Sequence, residues 1–396
     1  MINFRKQLIV GLLSLFLLLF SCSKDNSSSS EIPEYTNLSN YFSIDFNALP
    51  NYTDQYIPAY IIKDNTPGIN AITNEGASLG RILFYDTNLS SNKTVSCASC
   101  HKQAKAFGDN NNVSEGINGE TPRHSMRLVN SRFADENKFF WDERANSLEA
   151  QTTMPIQNHI EMGFSGEDGG LNFNDLITKL NETDYYPTLF TRAFGTSEIT
   201  ETRIQDALAQ FVRSIQSFDS KYDSGRIQVT NDNQPFPNYT PQENQGKDLF
   251  LQPPVFDTIG SRIDGGVGCA GCHRAPEFDI DPNSLNNGTI GTADGTGTDL
   301  TITRAPSLRD VVKQNGESNG PFMHIGISTN LITVINHYDE INTAGNNNLD
   351  QRLRPNGNAQ KLNMIQEEKD AVIAFIRTLS GTNVYIDEKW SNPFLN

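Results

Sequence analysis

Beyond its first twenty residues the chain has no apolar run long enough to cross a bilayer, which takes about 20 consecutive apolar residues, so no internal segment reads as a transmembrane helix. Positive charge is also short. Thirty-one Lys and Arg stand against 47 Asp and Glu, a formal net charge of −16, which excludes nucleic acid as a partner class because binding it needs clustered cations. Alternating apolar and polar runs are sparse, so little strand is expected. Cysteine is scarce too, at five in 396 residues, and four of the five fall in two copies of one pentapeptide.

Those copies are Cys97-Ala98-Ser99-Cys100-His101 and Cys269-Ala270-Gly271-Cys272-His273. Cys-x-x-Cys-His is the spacing that attaches a haem through two thioethers with the His beneath the iron. A zinc site built from all four cysteines, two disulfides, or a redox dithiol are the alternatives. The duplicated His directly after each pair favours two covalently bound c-type haems, with Cys97, Cys100, His101, Cys269, Cys272 and His273 as the attachment residues.

The N-terminus reads as an export signal, with Arg5 and Lys6 before an apolar run, Leu8 to Phe20, that is too short to span a membrane. Leu19-Phe20-Ser21-Cys22 ends it as a lipobox would. Residues 1–21 are therefore expected to be a lipoprotein signal peptide and Cys22 a lipid-modified first residue, an ordinary signal peptide being the alternative. Residues 22–50, opened by a serine run at 27–30, read as a flexible tether. The implied location is the periplasmic side of a bacterial membrane, where haem attachment takes place. The rest of the chain is too long for one ordinary core and fits two domains.

In chain order, residues 75–86 predict a short helix running into a turn before the first motif, and Gly108, Gly116 and Gly119 mark residues 102–122 as a loop over one haem face. Ser147 to Met154 predicts a helix ended by Pro155. Ile204, Leu208, Phe211, Val212, Ile215 and Phe218 recur at three and four, which predicts a helix with one buried face. Residues 223–240 are the best linker candidate. Thr240-Pro241-Gln242-Glu243 opens a further helix, with a cap, a proline at the first helical position and an acid three residues after the cap. Residues 287–300 are a Gly- and Thr-rich loop, and Gln366 to Leu379 is a C-terminal helix. The class is mainly α.

Several segments resemble the bacterial di-haem cytochrome c peroxidase family, including its MauG-like members. These are Leu79-Gly80-Arg81-Ile82-Leu83-Phe84-Tyr85-Asp86, Phe140-Trp141-Asp142-Glu143-Arg144 and Pro155-Ile156-Gln157-Asn158-His159-Ile160-Glu161-Met162-Gly163 in the first half. The second half adds Arg304-Ala305-Pro306-Ser307-Leu308-Arg309, Gly320-Pro321-Phe322-Met323-His324 and Asn336-His337-Tyr338. The resemblance implies two cytochrome c-like haem domains with long loops and little strand: 51–230 as the N-terminal peroxidatic domain and 231–396 as the C-terminal electron-transfer domain. It implies hydrogen peroxide as substrate and a small cytochrome c or cupredoxin as electron donor, with a homodimer as an open expectation.

Carried over residue by residue, Glu161 takes the place of the family's distal glutamate, a proton shuttle between the two oxygens of a peroxide. Without that resemblance it would read as a surface glutamate beside a glycine turn. Gln151 and Pro155 match distal-pocket positions. Trp141 matches the tryptophan between the haems, where an indole relays electrons, although a large aromatic can equally be core filler. Tyr338 stands where many members place a methionine over the second iron, making His101, His273 and Tyr338 the expected iron ligands, with His337 and Met323 as rivals to Tyr338. No histidine lies between Lys102 and Arg123, so the loop histidine that blocks the first iron in peroxidases needing prior reduction is missing. His124 occupies the position of a calcium-binding asparagine, and imidazole suits calcium poorly, which leaves main-chain oxygens of Asn319 and Pro321 for that ion.

The expected activity is that of a di-haem c-type peroxidase reducing hydrogen peroxide to water. A MauG-like oxidase modifying a protein or organic substrate is one alternative, and a non-catalytic di-haem electron-transfer protein is another.

Overall fold

A computed structural model describes residues 35–395. The export signal and Cys22 lie outside the described residues. Among the described residues there are eleven α-helices: α1 Asn74–Tyr85, α2 Cys97–Cys100, α3 Leu148–Thr153, α4 Phe173–Asn181, α5 Tyr186–Phe194, α6 Glu201–Ser214, α7 Lys221–Arg226, α8 Pro241–Leu251, α9 Leu331–Asp339, α10 Gln366–Arg377 and α11 Asn383–Ile386. Strand is confined to three two-stranded antiparallel ladders, β1–β2 (Glu115–Gly116, Gly119–Glu120), β3–β4 (Pro254–Phe256, Arg262–Gly265) and β5–β6 (His273–Arg274, Asp279–Ile280). The chain is thus mainly helical with little strand, as expected.

Local chemistry sets the helix ends. Thr73 caps α1 by accepting from the Gly76 amide at 2.9 Å, Ser147 caps α3, and Thr240 with Glu243 forms the reciprocal box at α8, Pro241 being its first residue. The helix expected to run to Phe218 stops at Ser214, where Ile215 turns extended at ψ 100°.

One packing unit occurs twice. In the first half α1 crosses α6 at Gly80, where a Cβ would sit 1.9 Å from the Ala207 carbonyl oxygen; in the second α8 crosses α10 at Gly246, 1.8 Å from the Ala371 carbonyl. One turn beyond each crossing the same side chains meet. Phe84 lies against Phe211 with ring centroids 5.1 Å apart, and Phe250 against Phe375, also at 5.1 Å. A third ring completes each cluster from the loop after the Cys-x-x-Cys-His motif, Phe107 at 5.9 Å from Phe84 and Phe278 at 5.8 Å from Phe250. Phe107 and Phe278 are both buried and both left-handed, with φ of 60° and 56°. Each motif is therefore delivered to a preformed aromatic floor, and edge-to-face rings of this kind add about 0.5–1.5 kcal/mol per pair to their burial.

Two expectations are corrected. The tether drawn over 22–50 is packed from Leu38 onward: Leu38, Phe42, Ile44 and Phe46 are buried in the core around α1 and α6. They are held there by the chain's far end, Phe42 bridging Phe394 and the Ser43 amide donating to the Pro393 carbonyl at 2.8 Å. Nor is 223–240 a free linker. Tyr222, Phe236 and Tyr239 are buried, and the ammonium of Lys247, itself fully buried, donates to the carbonyls of Asp232 at 2.5 Å and Gln234 at 2.9 Å.

Candidate functional site

Cys97–Cys100 form a single helical turn capped by Ser96, with both thiols free. Burial raises the Cys97 thiol to about 12 and the Cys100 thiol to about 11, so neither has the low pKa of a redox dithiol. The His101 ring nitrogen Nδ1 is 3.1 Å from the Phe107 carbonyl, a contact that orients the imidazole, as the outer partners of metal-ligating histidines do. Burial lowers the His101 pKa.

His101 opens onto a cavity of about 1080 Å³, part of it open to solvent, whose walls include Trp141, Arg144, Gln151, Pro155 and Glu161 as well as Arg127, Arg304 and Pro306. His101, Trp141, Gln151, Pro155 and Glu161, all expected at the first site from the sequence, thus line one space. Glu161 is placed there by a doubly backed turn. Asn158 Oδ1 accepts from the Ile160 and Glu161 amides at 2.9 and 3.1 Å, while the amides of Ile117 and Asn118 in the β1–β2 hairpin donate to the carbonyls of Glu161 and Ile160. The hairpin reads in the sequence as a loop over a haem face; its role is to hold this turn. Burial raises the Glu161 pKa, and Arg144 on the same wall works against that shift. Arg144 is stacked 3.5 Å over the Phe140 ring and tied to Asp142 at 2.9 Å.

Trp141 sits where the two halves meet. Its indole Nε1 donates to the His124 carbonyl at 2.7 Å, its own carbonyl accepts from the Thr303 and Arg304 amides at 3.0 and 3.1 Å, and its ring meets His324 edge-on at 6.3 Å.

The second motif forms a 3₁₀ turn, Cys269–Gly271, after a left-handed Gly268 (φ 72°). Burial raises the Cys269 thiol to about 12, and His273 is buried in its surroundings with Nδ1 lacking a partner. Helix α9, which no sequence signal announced, brings Tyr338 to this site. The Tyr338 hydroxyl accepts from Asn287 Nδ2 at 3.1 Å, and the same Nδ2 lies 3.5 Å from the Met323 sulfur. The phenol is raised by burial and then by Cys272 and Cys269, which places it beside the motif. His337 Nε2 is 2.9 Å from the Asn287 carbonyl, so that nitrogen is already engaged.

The donor sets suit haem c: two free thiols and one imidazole at each site, with a cavity beside the first. Among the described residues the four cysteines form no disulfide, and no group of three or more His, Cys, Asp or Glu side chains is arranged to hold a metal ion. The zinc alternative has no cluster behind it. His124 directs Nδ1 to the Asn111 carbonyl at 2.9 Å and offers no oxygen to a calcium ion. Sequence reasoning missed Asn287 and Arg127, whose contacts run across the chain and leave no local signal, and gave Arg304 no role although it opens a recognised segment.

Two Cys-x-x-Cys-His turns on aromatic floors, one facing a cavity with an acid and an amide, define a c-type haem protein of the oxidoreductase class. The family model for di-haem cytochrome c peroxidase matches residues 74–230. The methylamine utilization protein MauG of Methylophilus methylotrophus is 29% identical over 323 residues, covering 80% of this chain and 85% of its own. Cytochrome c551 peroxidase of Nitrosomonas europaea is 27% identical over 331 residues, covering 79% and 83%. Among solved structures, a MauG-like protein associated with microbial copper homeostasis superposes with a TM-score of 0.65 at 27% identity, covering 86% of this chain and 99% of that one. The chain is thus similar to di-haem cytochrome c peroxidases and MauG proteins over about four fifths of its length, with the family model itself confined to the first half.

Proposed function

We propose that this protein reduces hydrogen peroxide to water with two electrons from a small redox protein, a cytochrome c or a cupredoxin, which enter at the second haem and are used at the first. The observation that carries the reading is the single cavity shared by His101, Trp141, Gln151, Pro155 and Glu161. Haem c held by Cys97, Cys100 and His101 supplies the iron at which the oxygen–oxygen bond breaks. Peroxide, two protons and two electrons give two waters, so the pocket has to move protons. Glu161 takes the proton from the near oxygen and returns it to the far one, and its burial-raised pKa lets it hold that proton between the two steps. Gln151, on α3 above the same space, orients the oxygens by hydrogen bonding, and Pro155 closes the helix end without a competing amide. Trp141 couples the two halves through its contacts to His124, His324 and Arg304.

In this reading residues 51–230 form the peroxidatic domain and 231–396 the domain that accepts electrons, His273 and Tyr338 hold the second iron, and main-chain oxygens of Asn319 and Pro321 are the candidates for calcium. Export, a lipid anchor on Cys22 and a homodimer belong to the same proposal.

A second reading, oxidation of a protein or organic substrate as in the MauG relatives, is favoured by Tyr338 at the second site, since a tyrosine oxygen as ligand would lower the potential of the second iron. It predicts that a reduced small cytochrome or cupredoxin supports no steady turnover. A purely electron-transferring protein requires a side chain over both irons, and the open space beside His101 speaks against that.

The test is Glu161→Gln in the haem-loaded protein, assayed with peroxide and a reduced donor. The expected result is unchanged haem content with turnover down about a hundredfold to ten-thousandfold; a rate equal to that of the parent protein overturns the reading.

A further inference from the structure

One residue touches all three rivals for the second iron. The Asn287 carboxamide nitrogen Nδ2 donates to the Tyr338 hydroxyl at 3.1 Å and lies 3.5 Å from the Met323 sulfur, while the Asn287 main-chain carbonyl is 2.9 Å from His337 Nε2. The orientation of the amide is fixed, because its Oδ1 accepts from the Thr289 amide at 3.0 Å. Turned over, it would set an N–H against an N–H and offer an oxygen to the sulfur.

The turn that carries Asn287 is held on every side. Asn286 is fully buried; its Oδ1 accepts from the Gly288 amide at 2.8 Å and from Asn346 Nδ2 at 2.7 Å, its amide donates to the Asn348 carbonyl at 3.0 Å, and its carbonyl accepts from the Asp350 amide at 2.9 Å. Gly288 is left-handed (φ 92°) and so near α9 that a Cβ there would stand 3.4 Å from the His337 ring. Met323, on a separate loop, is nine-tenths buried and also left-handed, with φ 67°. A residue other than glycine keeps that backbone state only where its surroundings impose it, and such residues cluster at ligand-holding sites.

A phenol oxygen and a thioether sulfur are unlike ligands. The oxygen is hard, the sulfur is soft, and a methionine on a haem iron raises its potential. Here both stand around one nitrogen. We propose that Asn287 is the positioning residue that assigns the ligand of the second iron: Nδ2 holds the Tyr338 oxygen at the site and ties back the Met323 sulfur, and the main-chain carbonyl keeps His337 engaged. Met323 is the reserve donor, which takes the iron once the carboxamide is withdrawn. Partners behind a ligand that orient it in this way tune the metal without touching it.

This inference rests on the reading of His273 and Tyr338 as the ligands of the second iron, and the experiment separates the two. Absorption and paramagnetic resonance spectra, haem content per chain and the second midpoint potential are measured on the haem-loaded full chain for the parent protein, Asn287→Ala, Asn287→Asp, and Asn287→Ala combined with Met323→Leu. Asn287→Asp keeps an acceptor for the Thr289 amide and discards the donor hydrogens, so it decides the matter where the alanine variant fails to mature. The expected result is a tyrosine-ligated second haem in the parent, a sulfur-to-iron band in the red with a raised second potential in the single variants, and loss of that band in the double variant. Single variants that keep the parent's ligand, or that show less haem and no new band as a merely structural role would, overturn the proposal and leave the tyrosine assignment standing. So does a band that survives Met323→Leu. A parent protein whose second haem carries no tyrosine ligand overturns that assignment itself, and this inference with it.

Discussion

The Arg309 guanidinium holds both carboxylate oxygens of Asp223, at 2.8 and 2.9 Å, with neither residue exposed to solvent. Phe218, Tyr222 and Phe278 stand over the guanidinium at 5.1–5.6 Å, and Nη2 donates to the Pro276 carbonyl at 3.0 Å. The pair therefore pins the loop after the second motif to α7. Removing one charge leaves the other buried and alone, so Asp223→Asn is expected to cost about 3–5 kcal/mol. Chemical denaturation of the haem-loaded protein, followed at the haem absorption of each half, checks both the size of the loss and its location in the second half.

The two glycine crossings make a paired prediction. At Gly80 and Gly246 a methyl group would meet a backbone carbonyl at under 2 Å, and a carbonyl inside a helix cannot step aside as a side chain can. Gly80→Ala and Gly246→Ala are each expected to destabilise their own half by roughly 1–3 kcal/mol, although alanine is the better helix former. A thermal melt in which either variant matches or exceeds the parent protein would show that the helices can separate without loss.

Asp310 gives a pH dependence with a definite sign. It is fully buried; Oδ1 accepts from the Gly381 amide at 2.9 Å and the Tyr385 hydroxyl at 3.1 Å, while Oδ2 has no partner. Burial raises its pKa to about 6. The folded state therefore binds the proton more tightly than the unfolded chain, and this group withdraws stability as the pH rises from about 4 to 6. Asp310→Asn keeps the acceptor and discards the charge. Its advantage over the parent protein should grow across that window and level off above pH 6, at no more than about 3 kcal/mol. Unfolding free energies at pH 4.5 and 7.5 provide the comparison, and an advantage that shrinks with rising pH contradicts the assignment.

Trp141→Phe keeps most of the buried area and loses the bond to the His124 carbonyl. If the indole links the haems, electron exchange between them slows while haem content and both potentials hold. Rapid mixing with a reduced donor resolves the oxidation of each haem separately. An unchanged exchange rate would return Trp141 to the role of a packed aromatic.

Legibility followed the distance over which each feature is decided. The capping box at Thr240, the Ser147 cap and the amphipathic face of α6 depend on neighbours within a turn, and they were readable. Trp141, Gln151, Pro155 and Glu161 stand out only through segments that resemble a known family, and they line one cavity with His101. The apolar alternation Phe42, Ile44, Phe46 was in plain view, yet its meaning depended on Phe394 and Pro393 more than three hundred residues away. The segment 223–240 has a linker's composition and is fixed by one buried ammonium from α8, which no local rule announces. The aromatic floors were within reach. The Gly80–Phe84 spacing recurs in Gly246–Phe250 and the Ala207–Phe211 spacing in Ala371–Phe375, although neither pair falls in register when the halves are aligned on their motifs.

The final stretch of chain, after passing through the second half, returns to finish the first. Trp390 lies in the core around α1 and α6, its indole donating to Ser214 Oγ at 3.2 Å, and Arg81 donates from Nε to the Ser391 carbonyl at 2.6 Å. A polypeptide delivered from its N-terminus therefore cannot complete its leading half until its last residues have emerged. A chain cut short before residue 383 is left with an unclosed front half for proteases to find.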